Sequence, residues 1–202
     1  MTSIKEKVTK PWVETLREIP DVKLIHPKFF PDDRGFFSES FNIKEWNDAS
    51  VMDATGLRFQ FMQDNHSYST RGVTRGMHVQ PGMDKMVSCI CGEILDVVVD
   101  IRPQSSTFRK HVAIRLSEEE ATHLWVPSGF AHGFQCLSDK AHVMYKCTDT
   151  HNPRTEFGIQ AFDPEFAIAW PIRREDAVMS EKDAKAPCLK DIMEDLEARL
   201  RG

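Results

Sequence analysis

The sequence contains no apolar run long enough to span a bilayer as a helix. It has no excess of positive charge either: the formal net charge is −5. No broad basic face for nucleic acid is therefore implied, and an anionic ligand would need a local cationic pocket. No C-x-x-C pair occurs among the five cysteines, at positions 89, 91, 136, 147 and 188. They read as reduced thiols of a cytoplasmic protein. There is no G-x-G-x-x-G and no P-loop, which leaves a bound dinucleotide or ATP-driven chemistry without support. The opening stretch MTSIKEKVTKPWVETL is too charged for a signal peptide. No internal repeat or low-complexity tract interrupts the 202 residues, a length that suits one domain with a full core. The expected division is an N-terminal extension (1–20), a β core (21–172) and a C-terminal segment (173–202).

What is present is mostly β-type text. KLIHPKFF, GFFSESF, LRFQFMQDNHSY, GVTRGMHVQ, KMVSCIC, EILDVVVDI, KHVAIRL, THLWVP, GFQCL and AHVMYKCTD follow one another with turn residues between them. CGE, between two of these runs, predicts a tight turn and hence a hairpin. Many short strands without strand–helix alternation imply an all-β sandwich or barrel and exclude a Rossmann fold. Helices are expected only at the ends. Residues 5–19 predict a short helix around Val8, Trp12 and Leu16, limited by Pro11 and Pro20. Leu189, Ile192, Met193, Leu196 and Leu200 recur at helical spacing and predict an amphipathic C-terminal helix over 184–201, packed on the barrel or on a partner subunit.

Chemistry concentrates in STRGVTRGMHVQ, Ser69 to Gln80. Alternation along a strand places His78 and Gln80 on one face. Arg75 joins them only if the strand has a bulge or turn at Gly76. PSGFAHGF, Pro127 to Phe134, has the P-x-G-x-x-H spacing with which many cupin barrels deliver a histidine, here His132. A metal-binding cupin would also offer H-x-H with a nearby Glu, but this chain reads His78-Val79-Gln80 with no Glu following before the next strand. Two histidines and a neutral amide are a poor ligand set for a transition metal. A barrel interior holding His78, His132, Lys85, Arg75 and Tyr145 is costly unless a ligand uses them, so this group points to a site without metal. In FPDDRGFFSES, Phe30 to Ser40, Asp-Asp-Arg-Gly reads as a turn. One reading is a hairpin with Phe36 or Phe37 in the core. The other has Arg34 meeting a phosphate while an aromatic ring stacks on a base. MQDN supplies two amides, Gln63 and Asn65, suited to hydroxyls or phosphate oxygens or to capping a turn.

FPDDRGFFSESF, FMQDNHS, RGVTRGMHVQ, GEILDVVVDIR, LWVPSGFAHGF, MYKCTD and FDPEFAIAWPI, in that order, resemble the dTDP-4-dehydrorhamnose 3,5-epimerase family from about Val22 to Asp183. The resemblance implies a cupin-type double-stranded β-helix jelly roll, acting as a homodimer without metal, nicotinamide or other cofactor. It implies a nucleotide-diphospho-4-keto-6-deoxy sugar as substrate, inverted at carbons flanking the ketone through enol intermediates. By position it makes His78 the base, Asp183 the carboxylate that orients it, Tyr145 the acid on the opposite face, and Lys85 the cation near the C4 oxygen. Gln63, Asn65, Arg75 and His132 would contact the substrate. Arg34, Phe37 and Glu39 would hold the nucleotide, partly across the dimer interface. Two features depart from the family pattern: PGMD between Gln80 and Lys85 is short, and His151 stands where an aromatic, often tyrosine, is usual.

Overall fold

The computed structural model describes residues 6–47 and 60–201. Its strands are β1 (Trp12–Thr15), β2 (Lys23–His26), β3 (Lys28–Asp32), β4 (Gly35–Glu39), β5 (Gln63–Thr70), β6 (Thr74–Val79) and β7 (Lys85–Cys91). Then come β8 (Glu93–Asp100), β9 (His111–Ser117), β10 (His123–Val126), β11 (Phe130–Cys136), β12 (Lys140–Cys147) and β13 (Phe157–Gly158). The α-helices are single turns or little more: α1 (Ile43–Trp46), α2 (Glu181–Ala184) and α3 (Leu196–Arg201). Leu57, Arg58 and Phe59, which open the run LRFQFMQDNHSY, lie outside the described residues.

The strands form two facing antiparallel sheets, ordered β1-β2-β10-β7-β12-β5 and β13-β6-β11-β8-β9, with β3-β4 as a separate hairpin. This is the expected all-β jelly roll. Its central core lies between the sheets, with Val87, Leu124 and Val143 from one meeting Val98, Val112 and Phe134 from the other. A second apolar layer covers the outer face of the five-stranded sheet, where Phe166, Leu189, Ile192 and Leu196 pack on Met77, Val79, Val97 and Val99. Strand β8 is therefore covered on both faces. That explains why EILDVVVD reads as a nearly continuous apolar run rather than an alternating one. On the outer face of the six-stranded sheet, Trp46 of α1 covers Ile25, Met86 and Trp125.

Three local expectations are corrected. The N-terminal helix is absent: Trp12–Thr15 is an edge strand paired with β2, and Val8 bridges to Phe29. The stretch between Pro11 and Pro20 is too short to nucleate a helix, and pairing with a neighbouring strand wins. The C-terminal helix is split into a 3-10 turn at Leu189–Ile192 and α3, although Leu189, Ile192 and Leu196 are buried as the spacing implied. CGE does turn the chain, with Gly92 at φ +77, but it makes no hairpin. Strand β7 pairs with β10 and β12, whereas β8 pairs with β9 and β11. The glycine carries the chain from one sheet to the other. A Cβ on it would lie 2.0 Å from the Lys140 carbonyl oxygen, so the crossing has no room for a side chain.

Candidate functional site

A cavity of about 240 Å³ is lined by residues of both sheets. Both walls contribute polar groups. Gln63, Asn65 and Ser67 come from β5, Lys85 from β7 and Tyr145 from β12, all on the six-stranded sheet. Arg75 and His78 of β6 and His132 of β11 come from the facing sheet. His151 and Glu156 reach in from the loop after β12.

Arg75 and His78 share the cavity because β6 is irregular between them. His78 is opposite His132 and Arg75 opposite Phe134, so three steps on β6 match two on β11. The extra residue is accommodated at Gly76, with φ +105. A Cβ on Gly76 would fall 2.6 Å from the His132 carbonyl oxygen, and one on Gly133 2.5 Å from that of Arg75. Two glycines thus let the strands close at the bulge. Gln80 lines the cavity too, but its amide bonds Thr155 Oγ1 at 2.8 Å and it also ties down the loop at Asn152.

His78 is held from behind. Its Nε2 lies 2.7 Å from Oδ1 of Asp183, and its Nδ1 has no protein partner among the described residues. Asp183 sits in α2, whose N-cap is Ser180; the Ser180 Oγ accepts from the Asp183 amide at 3.1 Å. The Gly76 amide donates to the other carboxylate oxygen at 3.4 Å. Burial alone would raise the Asp183 pKa, but His78, the Gly76 amide and Ser180 hold it below the ordinary carboxylate value. The carboxylate stays ionised and fixes which ring nitrogen faces inward.

Across the cavity, burial pushes the Tyr145 phenol up, so it stays protonated through the neutral range. Its hydroxyl is 3.4 Å from Ser67 Oγ, and its ring meets His132 edge-on with centroids 6.3 Å apart. The Lys85 side-chain amine makes no hydrogen bond among the described residues. Burial pushes its pKa down, and the nearby Cys147, Glu156 and Asp96 partly oppose that. His132, delivered by the PSGFAHGF turn, meets no metal-type ligand set; its Nε2 is 2.8 Å from Oδ1 of Asp96. Asp96 is fully buried, its pKa is raised by that burial against the pull of His132, and its Oδ2 has no hydrogen-bond partner. Among the described residues no three His, Cys, Asp or Glu side chains converge on a point that could hold a metal ion.

At the rim, Arg75 is tied to β5: Nε donates to Ser69 Oγ at 3.0 Å and Nη2 to the Tyr68 carbonyl at 2.8 Å. Glu156 is shared between His151 Nε2, at 2.6 Å, and Lys182 Nζ. Burial would raise the Glu156 pKa, but these two partners hold it below its ordinary value.

Three expected residues are elsewhere. Arg34, Phe37 and Glu39 belong to the β3–β4 hairpin, outside the cavity. The hairpin reading of this stretch holds, but neither phenylalanine is in the core: Phe36 is 48% exposed and Phe37 67%. Among the described residues Arg34 pairs only with Asp32, at 2.6 Å, and Glu39 lies 3.4 Å from Lys28. The sequence reading also missed Asp96, Ser67, Ser69, Glu156 and Lys182. Asp96 had a signal, as the one acid inside the apolar stretch ILDVVV. Glu156 and Lys182 had none, since they meet only through folding.

The sequence pattern described as dTDP-4-dehydrorhamnose 3,5-epimerase matches residues 17–191. The dTDP-4-dehydrorhamnose 3,5-epimerase of Shigella flexneri is 46% identical over 169 residues, covering 82% of this chain and 90% of that protein. The crystal structure of dTDP-6-deoxy-D-glucose-3,5-epimerase from Legionella pneumophila Philadelphia 1, in complex with dTDP-4-keto-L-rhamnose, superposes with a TM-score of 0.83 at 42% identity. The match covers 92% of this chain and 96% of that one. A 4-keto-6-deoxy sugar epimerase from the novobiocin biosynthetic gene cluster of Streptomyces spheroides gives a TM-score of 0.85 at 31% identity, over 98% and 96% of the two chains. With a jelly roll, a polar cup and relatives of this closeness over most of its length, the chain belongs to the dTDP-4-dehydrorhamnose 3,5-epimerase family.

Proposed function

We propose that the protein is an isomerase that inverts the carbons flanking the C4 ketone of a dTDP-linked 4-keto-6-deoxy sugar, by proton transfer between two faces of the ring. One observation carries the reading. An imidazole backed by an ionised carboxylate stands on one sheet, and a phenol kept protonated by burial stands on the sheet opposite. Nδ1 of His78 removes the proton next to the ketone. Asp183 stabilises the imidazolium that forms. The electron pair moves onto the C4 oxygen, where Lys85 meets the charge. A preorganised donor of this kind contributes about 3 kcal/mol. Tyr145 then returns a proton to carbon from the other face, which inverts the centre.

Arg75, its fork already fixed by Ser69 and Tyr68, and His132, fixed by Asp96, orient the sugar beside Gln63 and Asn65. The diphosphate takes no part in proton transfer; anchoring it turns remote binding energy into alignment. Arg34, Phe37 and Glu39 serve that anchoring in a homodimer, each chain's hairpin completing the partner's site. The exposed aromatic and the arginine with only a neighbouring aspartate as partner support this reading. His151 meets the nucleotide end of the substrate. No helix among the described residues is long and apolar enough to cross a membrane. The five free thiols suit the reducing cytoplasm.

The test is incubation of dTDP-linked and GDP-linked 4-keto-6-deoxy sugars in D2O. Deuterium should enter at C3 and C5 of the dTDP sugar. Label at C3 alone would make the enzyme a 3-epimerase, and label only in the GDP sugar would change the nucleotide. No label in either would leave a sugar-nucleotide-binding cupin without catalysis.

A further inference from the structure

The reaction asks Tyr145 to release a proton inside a buried cup, where a bare phenolate is costly. What receives that charge is not among the groups assigned above. The phenol has one hydrogen-bond partner among the described residues, the Ser67 hydroxyl at 3.4 Å. Burial drives the phenol's pKa up, and Ser67 and, more weakly, Arg75 draw it back. Ser67 is on β5, the outermost strand of its sheet, diagonal to Tyr145, which is directly opposite Asn65. The other inward side chains of that strand already have bonds. Gln63 donates to Asn65, Asn65 to Cys147 Sγ, and Ser69 accepts from Arg75. Ser67 alone has its hydroxyl turned to the acid. A distance of 3.4 Å is long, but catalytic hydrogen bonds commonly tighten when substrate fills the site.

Resting on the epimerase reading, we propose that Ser67 is a positioning residue for Tyr145. Its hydroxyl donates to the phenol oxygen, which turns the phenol's own proton into the cup and steadies the phenolate once that proton has gone to carbon. The O–H bond of Tyr145 breaks as the C–H bond forms on the face away from His78. Solvent then restores the phenol's proton and takes the one that His78 removed. Return of a proton by His78, which gives exchange without inversion, does not pass through Ser67.

This partition is measurable in D2O. Two quantities are followed with the dTDP-linked 4-keto-6-deoxy sugar: deuterium in recovered, uninverted sugar, and appearance of inverted sugar. In Ser67→Ala, inversion should fall about tenfold, the scale of one lost hydrogen bond. Exchange should stay within about twofold of wild type, since His78 and Lys85 are untouched. Ser67→Thr, which keeps the hydroxyl, should restore the wild-type ratio. Ser67→Val, of equal bulk without it, should not, and this pair carries the comparison if the alanine variant fails to fold. An unchanged ratio in Ser67→Val, or equal loss of exchange and inversion, overturns the proposal. A wild-type protein that neither exchanges nor inverts overturns the epimerase reading, and the role of Ser67 with it.

Discussion

The cup and the β3–β4 hairpin are built on opposite principles. In the cup nearly every polar side chain has a protein partner before any ligand arrives: His78 has Asp183, His132 has Asp96, and Arg75 has Ser69 and the Tyr68 carbonyl. Among the described residues the Lys85 amine lacks such a partner, and it is the group proposed to meet a charge that exists only during the reaction. The hairpin is the reverse. The Arg34 side chain is 90% exposed and bonds an aspartate two residues away, and Phe37 shows 67% of its surface to solvent. Under the proposed mechanism, the base and the groups that orient the sugar are fixed in advance. The groups proposed to meet the nucleotide are held out on a ribbon that a second surface can complete. Chemistry and recognition should therefore fail separately when mutated.

The largest effect should come from the base. His78→Ala should lower both exchange and inversion by about 10³-fold, measured by NMR in D2O, because the other two imidazoles of the cavity, His132 and His151, are tied to Asp96 and Glu156. Next comes the bulge that brings Arg75 and His78 together. Gly76→Ala puts a Cβ 2.6 Å from the His132 carbonyl at φ +105. It should cost about 3 kcal/mol of stability in urea unfolding.

Lys85→Met should reduce turnover about 10²-fold, and its pH behaviour sharpens the test. Burial holds the Lys85 pKa below the ordinary lysine value, so the cation is lost early as pH rises. Wild-type kcat should decline on the alkaline side before about pH 10.4 is reached. Stability runs the other way. The unfolded chain holds this proton more tightly than the folded one, so the cost of burying Lys85 is complete below the folded-state pKa. It fades as pH climbs toward the ordinary value. The stability advantage of Lys85→Met over wild type should shrink across the same window. An advantage that grows with pH would contradict the direction of the shift.

The smallest effect falls on the hairpin. Arg34→Ala and Phe37→Ala should each raise KM about tenfold and leave kcat within twofold. Mixing His78→Ala chains with Phe37→Ala chains should give more activity than the two preparations measured apart, because one site of each hybrid would have both an intact base and an intact hairpin. Simple additivity would return the hairpin to its own chain's site.

Much of the cup was legible in the sequence because alternation is a local rule. His78 and Gln80 two apart, and Gly76 where a bulge was required, are enough to bring Arg75 and His78 to one face. Asp183 was not legible that way. It lies 105 residues from His78, and only the family resemblance linked them before the structure brought them to 2.7 Å. The CGE turn shows the same limit. A glycine between two apolar runs announces a change of direction, but not which sheet receives the second strand; that is decided by the partners β9 and β11, both later in the chain. The N-terminal stretch misled for a related reason: three apolar residues at helical spacing weigh less than an available sheet edge.

His78 and Tyr145, the proposed base and acid, stand on different sheets, so the packing of the sheets sets the gap between them. That gap is the thickness of the hydrocarbon filling, on the order of 10 Å between facing sheets. Phe134, which lines the cup and belongs to the same filling, is one of its spacers. A swap of apolar residues in the interior, harmless to folding, could thus alter how far a proton must jump. Turnover would then serve as a caliper for the spacing of the two walls.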